Sequence, residues 1–475
     1  MPDASRERSH PPSVERVLAA ARARVADRDA EAVLAVARDV VDDERVRLER
    51  GETGRSVEAL ADAVIAALEE FDGPDMSGDG ANAPGSRVIN ATGVLVHTNL
   101  GRATWPRAAI EAARRATESP LLLELDASTG RRGRRLRVGE EHLIALTGAE
   151  DALVVTNNAA AIALAVGLAG RGGGVVVSRG ELVEIGGGVR IPEILRRAGV
   201  RLVEVGTTNR TRVADFGAAF DDPTSRIRVV LRVHPSNFVQ AGFVESPDAA
   251  ELASLAHGRG AIVVDDLGSG ALLATERFGL AHEPTPRERL AAGADVVTFS
   301  GDKLVGGPQA GLIVGRGDLV AKLRRDPLAR AMRPDKSILA AIAATLALYR
   351  GGTAGTEIPL WRQLSRPTAD LRTRAAAIAK ALAEDTGRIE VVETEATVGG
   401  GSLPGEIVAS IGLAIGGARE QTATAILARL RTAASNAPIV IGRIEHERVI
   451  LDLRTIEPED DGALTTAIRA ALIEQ

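Results

Sequence analysis

The sequence contains no cysteine, which excludes disulfide bonds, thiolate zinc sites, iron–sulfur clusters and thiol nucleophiles. Aromatic residues make up only 2% of the 475 residues, whereas apolar residues make up 45%. The hydrophobic core is therefore expected to consist mainly of Val, Leu, Ile and Ala side chains. A chain of this length exceeds what a single core usually supports, so we expect two or three domains.

Long apolar runs are also missing. No run approaches the roughly 18 apolar residues that a membrane-spanning helix needs, and the first residues lack the apolar core of a secretory signal. We therefore expect a cytoplasmic protein without a membrane contact. The seven histidines show no ligand spacing, so no metal site is predicted. A net charge of −6 argues against general attraction to nucleic acid, although it does not exclude a local basic face.

The pattern of residues divides the chain into three regions. Residues 12–70 carry apolar side chains at helical spacing, with Ser56 as an expected N-cap. A segment rich in Gly, Pro and Asp follows and predicts a linker that ends near residue 85. The predicted domains are a helical domain at 1–85, a large α/β domain at 86–350 and a smaller α+β domain at 351–475.

Seven short β-branched runs separated by helical stretches predict the strands of a mostly parallel sheet covered on both sides. Ligands bind such sheets beyond the carboxyl ends of the strands, so the residues after each run are candidates for chemistry. The runs lie at 152–156, 174–178, 201–205, 227–233, 261–265, 295–299 and 311–314.

The segment Asn157, Asn158 and Ala159 follows the first run and precedes a helix. Backbone N–H groups at the start of a helix suit a phosphate. Taken alone, however, the segment is more typical of an ordinary helix cap.

Two carboxylates, Asp265 and Asp266, stand at the end of the fifth run. A buried carboxylate is costly unless it meets a cation or a donor, and a pyridinium N–H would be such a partner. A capped turn is the alternative interpretation, and the pattern does not decide between the two aspartates.

Lys303 follows the sixth run, between glycines, with Ser300 three residues earlier. A desolvated lysine stays neutral and can attack an aldehyde, and Ser300 could donate to a phosphate. By itself this segment is more typical of a surface lysine in a turn. Together with the other strand ends, it predicts that Lys303 holds pyridoxal phosphate as a Schiff base.

Four segments resemble the family of bacterial selenocysteine synthase, the L-seryl-tRNA(Sec) selenium transferases. They are VINATGVLVHTNLGRA at 88–103, EVGTTNRT at 204–211, DDLGSG at 265–270 and SGDKLVGGPQAGLIVG at 300–315. The resemblance extends over nearly the whole chain and implies an α/β fold-type I pyridoxal phosphate enzyme, with a seven-stranded, mostly parallel sheet.

The resemblance also assigns roles to residues. It implies Lys303 as the cofactor lysine and Asp266, rather than Asp265, as the partner of the pyridine nitrogen. Selenophosphate would bind an arginine cluster, although several arginines at 131–137 compete for the position given to Arg135. The cluster consists of Arg102, Arg135, Arg330 and Arg333. The resemblance further implies a homodecamer built as a ring of five dimers, with Thr207 and Thr208 at the contact between dimers.

The predicted partner is tRNA(Sec) charged with serine, which the N-terminal domain would contact. That domain is acidic, because residues 1–85 contain 11 arginines and no lysine against 19 aspartates and glutamates, a net charge of −8. Binding must then depend on a local arginine face and on shape. The candidates are Arg16, Arg22, Arg24, Arg45, Arg47 and Arg50.

The predicted function is conversion of seryl-tRNA(Sec) to selenocysteinyl-tRNA(Sec), by elimination of water and addition of selenium. One alternative is a related pyridoxal phosphate lyase that acts on a small phosphorylated amino acid or sugar acid. Such relatives generally lack an N-terminal helical domain. A second alternative is a non-catalytic tRNA-binding scaffold, which the presence of Lys303 and Asp266 disfavours.

Overall fold

A computed structural model describes residues 10–69, 88–386, 388–416, 422–432 and 438–472. The predicted linker near residue 85 lies outside the described residues. The helices are α1 Val14–Ala21, α2 Ala30–Glu49, α3 Val57–Glu69, α4 Arg107–Glu118, α5 Val138–Thr147, α6 Asn158–Val166, α7 Ile191–Arg197, α8 Val213–Asp221, α9 Ala249–Gly258, α10 Pro286–Ala291, α11 Gly317–Arg325, α12 Pro327–Ala331, α13 Lys336–Arg350, α14 Ala354–Glu357, α15 Pro359–Ser365, α16 Thr368–Thr386, α17 Ala423–Thr432 and α18 Asp461–Leu472.

The strands range from two residues to fifteen. They are β1 Val88–Asn90, β2 Asp151–Val155, β3 Gly174–Ser178, β4 Glu184–Ile185, β5 Val189–Arg190, β6 Arg201–Val205, β7 Ile227–Val233, β8 Ile262–Gly268, β9 Val296–Ser300, β10 Gly311–Gly315, β11 Ile389–Gly399, β12 Ser402–Gly416, β13 Ile439–Ile441, β14 Arg443–Glu445 and β15 Arg448–Asp452. Among the described helices, none combines the length and apolar character that a bilayer span needs.

The described residues form two compact units. The first contains those of 1–88, 428–440 and 466–475, and the second contains those of 89–427 and 441–465. This division into two units does not test the bounds of the three predicted domains, which stay a prediction.

In the first unit, helices α1 to α3 share a small apolar core that includes Val17, Leu60 and Val64. The predicted cap is present, because the Ser56 hydroxyl accepts a hydrogen bond from the Ala59 N–H at 3.1 Å. Helix α1 ends earlier than its apolar pattern predicts. The chain turns before Asp29, whose side chain caps the start of α2.

The second unit contains a seven-stranded sheet in the order β2-β10-β9-β8-β7-β3-β6. Its strands coincide with all seven predicted runs, and only β10 runs antiparallel to its neighbours β9 and β2. The prediction of a mostly parallel sheet is therefore confirmed. Because side chains alternate along a strand, apolar residues of β8 pack on both faces, with Val264 in one cluster and Val263 in another.

A four-stranded antiparallel sheet, in the order β11-β12-β15-β14, lies in the C-terminal part of this unit. Strands β11 and β12 form a long hairpin, with Ile389 opposite Ile415 and Gly399 opposite Ser402. Its tip consists of Gly399, Gly400 and Gly401, which all have positive φ. This tip reaches the end of the larger sheet, as described below.

Candidate active site

Lys303 lies in the turn that follows β9, where burial lowers the pKa of its amine. The Asp266 carboxylate opposes this effect and the Arg102 guanidinium adds to it. Tyr349 contacts the turn, because its hydroxyl lies 3.1 Å from the Leu304 carbonyl and 2.9 Å from the Val305 carbonyl. The amine is thus held in a setting that favours its neutral, nucleophilic form.

Asp266 projects from β8 on the side of the sheet where Lys303 lies. Its Oδ1 atom accepts hydrogen bonds from Asn158 Nδ2 at 2.7 Å and from Thr298 Oγ1 at 2.9 Å. Burial raises the pKa of this carboxyl, and the two hydrogen bonds oppose that rise. A cation or a ring N–H brought to the carboxylate would therefore replace solvation that the fold has removed.

Asp265 faces the opposite side of the sheet, as alternation along β8 requires. Its Oδ2 atom lies 3.7 Å from Arg289 Nε. Asp265 is paired in register with Arg232 of the neighbouring strand β7. Of the two carboxylates that the sequence left open, only Asp266 shares a side with Lys303.

The residues at the start of α6 divide between two tasks. Asn157 is the N-cap, and its side chain accepts a hydrogen bond from the Ala160 N–H at 2.9 Å. Asn158 instead contacts Asp266, and its Oδ1 atom is buried without a hydrogen-bond partner among the described residues. Ala159 lies in the first turn of the helix, whose N–H groups point out of its N-terminus. Ser300 is buried at the end of β9, two residues from Thr298 and hence on the same face.

Arg102 lies next to the lysine through an ion pair with Asp302. Its Nη1 atom donates to Asp302 Oδ2 at 2.6 Å. Arg102 has a φ of 66°, which is uncommon for a residue with a side chain. The guanidinium is only partly exposed, and its positive charge contributes to the lowered pKa of the Lys303 amine.

The other predicted arginines lie elsewhere in the structure. Arg135 Nη1 is 3.3 Å and Arg333 Nη1 is 3.7 Å from the same Glu124 carboxylate. Both line a cavity of about 200 Å³. Arg330 is exposed on α12. Within the described residues, no hydrogen bond or ion pair joins these three arginines to Lys303 or Arg102.

Four groups around the lysine were not predicted from the sequence, namely Asp302, Thr298, Tyr349 and Gly401. Thr298 could have been found, because it lies directly beside Asp266 in the register of two predicted strands. The Gly401 carbonyl accepts a hydrogen bond from Lys303 Nζ at 3.3 Å. Neither Gly401 nor Tyr349 belongs to a strand end of the larger sheet, so the search among strand ends could not include them.

Comparison with known proteins adds a family to this geometry. A family model described as L-seryl-tRNA selenium transferase matches residues 88–457. The chain belongs to this family. The L-seryl-tRNA(Sec) selenium transferase of Carboxydothermus hydrogenoformans is 46% identical over 379 residues, covering 79% of this chain and 80% of the relative. That of Moorella thermoacetica is 43% identical over 444 residues, covering 93% and 91%.

A solved structure shares the fold of this family member. It is that of D-glucosaminate-6-phosphate ammonia-lyase, with a TM-score of 0.58 and 22% identity over 82% of this chain and 96% of the lyase. At this identity the likeness concerns the fold alone. Membership in the selenium transferase family confirms the resemblance seen in the four sequence segments and the prediction of a transferase.

Proposed function

We propose that this selenium transferase family member converts serine on tRNA(Sec) to selenocysteine, with pyridoxal phosphate held by Lys303. The observation that carries the proposal is the pair formed by a partly buried lysine and a buried aspartate at adjacent strand ends. Identity above 40% with transferases of this name, over most of each chain, supports the substrate.

The residues at the strand ends fit the cofactor. Asn158 and Thr298 both donate to Asp266 Oδ1, which leaves the Oδ2 atom for a pyridine N–H; no hydrogen bond to Oδ2 comes from the described residues. Asn158 Oδ1 is a buried acceptor without a partner in the described part of the chain. The N-terminus of α6 and the Ser300 hydroxyl are suited to the phosphate. When bound, the cofactor supplies an electron sink for the bond broken at the serine Cα.

Lys303 then has two tasks. Burial favours the neutral form of its amine, which would hold the cofactor and, when free, would accept the proton from the serine Cα. The Asp266 carboxylate would accept a hydrogen bond from the pyridine N–H of the bound cofactor and so favour its protonated form. Arg102 and Asp302 fix the position of the turn that carries the lysine.

Selenophosphate would bind the arginines. Arg102 is close to the lysine, and Arg330 presents an exposed guanidinium. Arg135 and Arg333 would have to exchange the Glu124 carboxylate for the oxyanion, since both are ion-paired to it. Arginine suits this task because its planar fork matches the oxygens of a phosphate group.

The N-terminal region would contact the tRNA. Ion pairs occupy three of the candidate arginines, because Arg24 meets Asp62, Arg45 meets Asp42 and Arg47 meets Glu44. No ion pair to another described residue holds the remaining candidates, so they are the best placed to meet phosphates. These are Arg16, Arg22 and Arg50.

The assembly is part of the same proposal. Thr207 and Thr208 are exposed, as a contact between dimers requires. A homodecamer would have about ten times the mass of the 49.5 kDa chain. Sedimentation of the purified protein tests this, and a stable dimer or monomer would contradict it.

A gel shift tests the substrate. The protein should bind serine-accepting tRNA(Sec) more tightly than ordinary serine tRNA. Deletion of residues 1–85 should abolish this discrimination. The deletion should leave the absorbance of the protein-bound cofactor, at roughly 420 nm, unchanged. Equal or absent binding by the full chain would refute the tRNA assignment. With the absorbance intact, that result would favour the small-molecule lyase instead.

A further inference from the structure

The tip of the β11–β12 hairpin lies against Lys303, at a distance that leaves no room for a side chain unless the lysine moves. Gly399, Gly400 and Gly401 have φ values of 73°, 58° and 76°, a conformation that L side chains rarely adopt. A Cβ atom on residue 401 would lie 2.8 Å from Lys303 Nζ. Glycine at this position therefore lets the Gly401 carbonyl reach the amine without displacing the lysine side chain.

The tip is held in place by the segment at 93–96. The Val96 N–H donates to the Val398 carbonyl at 2.8 Å, and the Thr397 N–H donates to the Gly93 carbonyl at 2.8 Å. A Cβ atom on residue 400 would lie 2.3 Å from the Val96 carbonyl oxygen, so the two segments are in full contact. These backbone hydrogen bonds hold the end of β11 that leads into the tip.

The same segment leads on to an ion pair with the turn that carries the lysine. Six residues after Val96 the chain reaches Arg102, which pairs with Asp302, the neighbour of Lys303. The lysine is therefore bounded by the hairpin tip and by this ion pair. Both boundaries are connected through one short stretch of chain.

A carbonyl is the right acceptor for this amine. A neutral amine has two N–H donors and one lone pair, so a carbonyl that accepts one N–H leaves the lone pair free for attack. A carboxylate in the same place would favour the ammonium form, which has no lone pair. Burial lowers the pKa of Lys303 and so favours the neutral form that the Gly401 carbonyl would hold.

We propose that the hairpin tip is a positioning element for Lys303, whose free amine the Gly401 carbonyl holds whenever the cofactor is not attached to the lysine. The inference rests on the proposed cofactor role of Lys303 and not on the identity of the tRNA. In the capture step, the amine nitrogen forms a bond to the aldehyde carbon. The aldehyde oxygen leaves as water with the two amine hydrogens.

The test compares cofactor-free Gly401→Ala with cofactor-free Gly352→Ala. Gly352 has a φ of 74°, and a Cβ atom there would meet nothing within 4 Å, so its substitution carries a similar backbone cost without a steric contact. Capture of pyridoxal phosphate is followed by absorbance, and the noncovalent affinity is measured with pyridoxine 5′-phosphate, which lacks the aldehyde. Borohydride reduction and peptide mass spectrometry assign the captured group among the four lysines of the chain, which are Lys303, Lys322, Lys336 and Lys380.

We expect Gly401→Ala to slow capture about two- to tenfold, the range of one hydrogen bond, with an unchanged affinity for pyridoxine 5′-phosphate. Gly352→Ala should change neither. An unchanged capture rate would overturn the proposal. An equal loss in capture rate and in affinity for pyridoxine 5′-phosphate would also overturn it, because such a loss indicates a collapsed site.

A second variant covers the case in which Gly401→Ala does not fold, as judged by circular dichroism. Gly401→Asn places the same Cβ atom near the amine, and asparagine tolerates positive φ better than alanine does. Gly401→Asn should also slow capture while the affinity for pyridoxine 5′-phosphate stays unchanged. If this variant does not show that difference, the proposal is overturned. Failure of the unmodified protein to capture the cofactor would instead refute the proposed function.

Discussion

Glu181 offers the sharpest test of the electrostatics near the strand ends. Its Oε2 atom accepts a hydrogen bond from the Val233 N–H at 3.2 Å. Burial raises the pKa of this carboxyl from 4.5 to about 7, although the Arg232 guanidinium opposes the rise. The change to test is Glu181→Gln, which keeps the size and the acceptor oxygen but removes the ionisation.

The sign follows from the two pKa values. The folded protein binds the proton more tightly than the unfolded chain. The carboxyl therefore costs no folding free energy below pH 4.5, and this cost increases with pH until the pH exceeds about 7. At 1.36 kcal/mol per pKa unit, the cost grows by about 2 to 3 kcal/mol between pH 5 and pH 8. Glu181→Gln does not bear this cost. Its free energy of unfolding, relative to that of the unmodified protein, should therefore increase by about 2 to 3 kcal/mol between pH 5 and pH 8.

Urea unfolding at the two pH values measures this difference. Trp105 and Trp361, the two tryptophans of the chain, both lie in the second unit, so their fluorescence reports on the unit that contains Glu181. Glu193→Gln, at an exposed position on α7, is the control and should show no pH-dependent gain. Parallel pH profiles for Glu181→Gln and the unmodified protein would refute the reasoning.

Three further changes test the site. Asp266→Asn should lower the rate of selenium transfer by about 100-fold, typical of a lost proton-holding group, and a normal rate in a seryl-tRNA assay would contradict the role of Asp266. Arg102→Ala removes a cation that lowers the pKa of Lys303. Cofactor capture, which needs the neutral amine, should therefore shift to higher pH, whereas Arg107→Ala should leave the profile in place. Tyr349→Phe leaves the buried Trp361 Nε1, now 2.7 Å from the hydroxyl, without an acceptor. It should cost about 1 to 3 kcal/mol in urea unfolding, and an unchanged midpoint would show that the Lys303 turn needs no such anchor.

The seven strands of the large sheet were predictable because each is a short, continuous β-branched run bounded by turns. For the region of the β11–β12 hairpin, the sequence predicts only a smaller α+β domain at 351–475 and not the extent of the two strands. Strand β12, at Ser402–Gly416, contains Pro404, Gly405 and Gly412, which are typical of loops. Its pairing with β11 stabilises a strand that local preference does not indicate.

The candidate site was predictable where it depends on strand ends. Lys303, Asp266 and Asn158 meet because parallel strands end at one edge of the sheet. The choice between Asp265 and Asp266 depends on side-chain alternation, which the sequence shows only once the register is known. The position of Arg135 depends on Glu124, a partner 11 residues away along an irregular segment, and no periodicity marks such a pair.

The hydrogen bond between Lys303 and Gly401 joins residues 98 positions apart. During synthesis, the strands that carry Asp266 and the lysine leave the ribosome well before the hairpin does. The reactive amine therefore exists for a time without its carbonyl partner. A nascent chain can assemble the large sheet early, but its lysine is positioned only when the glycine tip has emerged and folded back. Completion of the hairpin is therefore the step that makes the newly made protein ready for its cofactor.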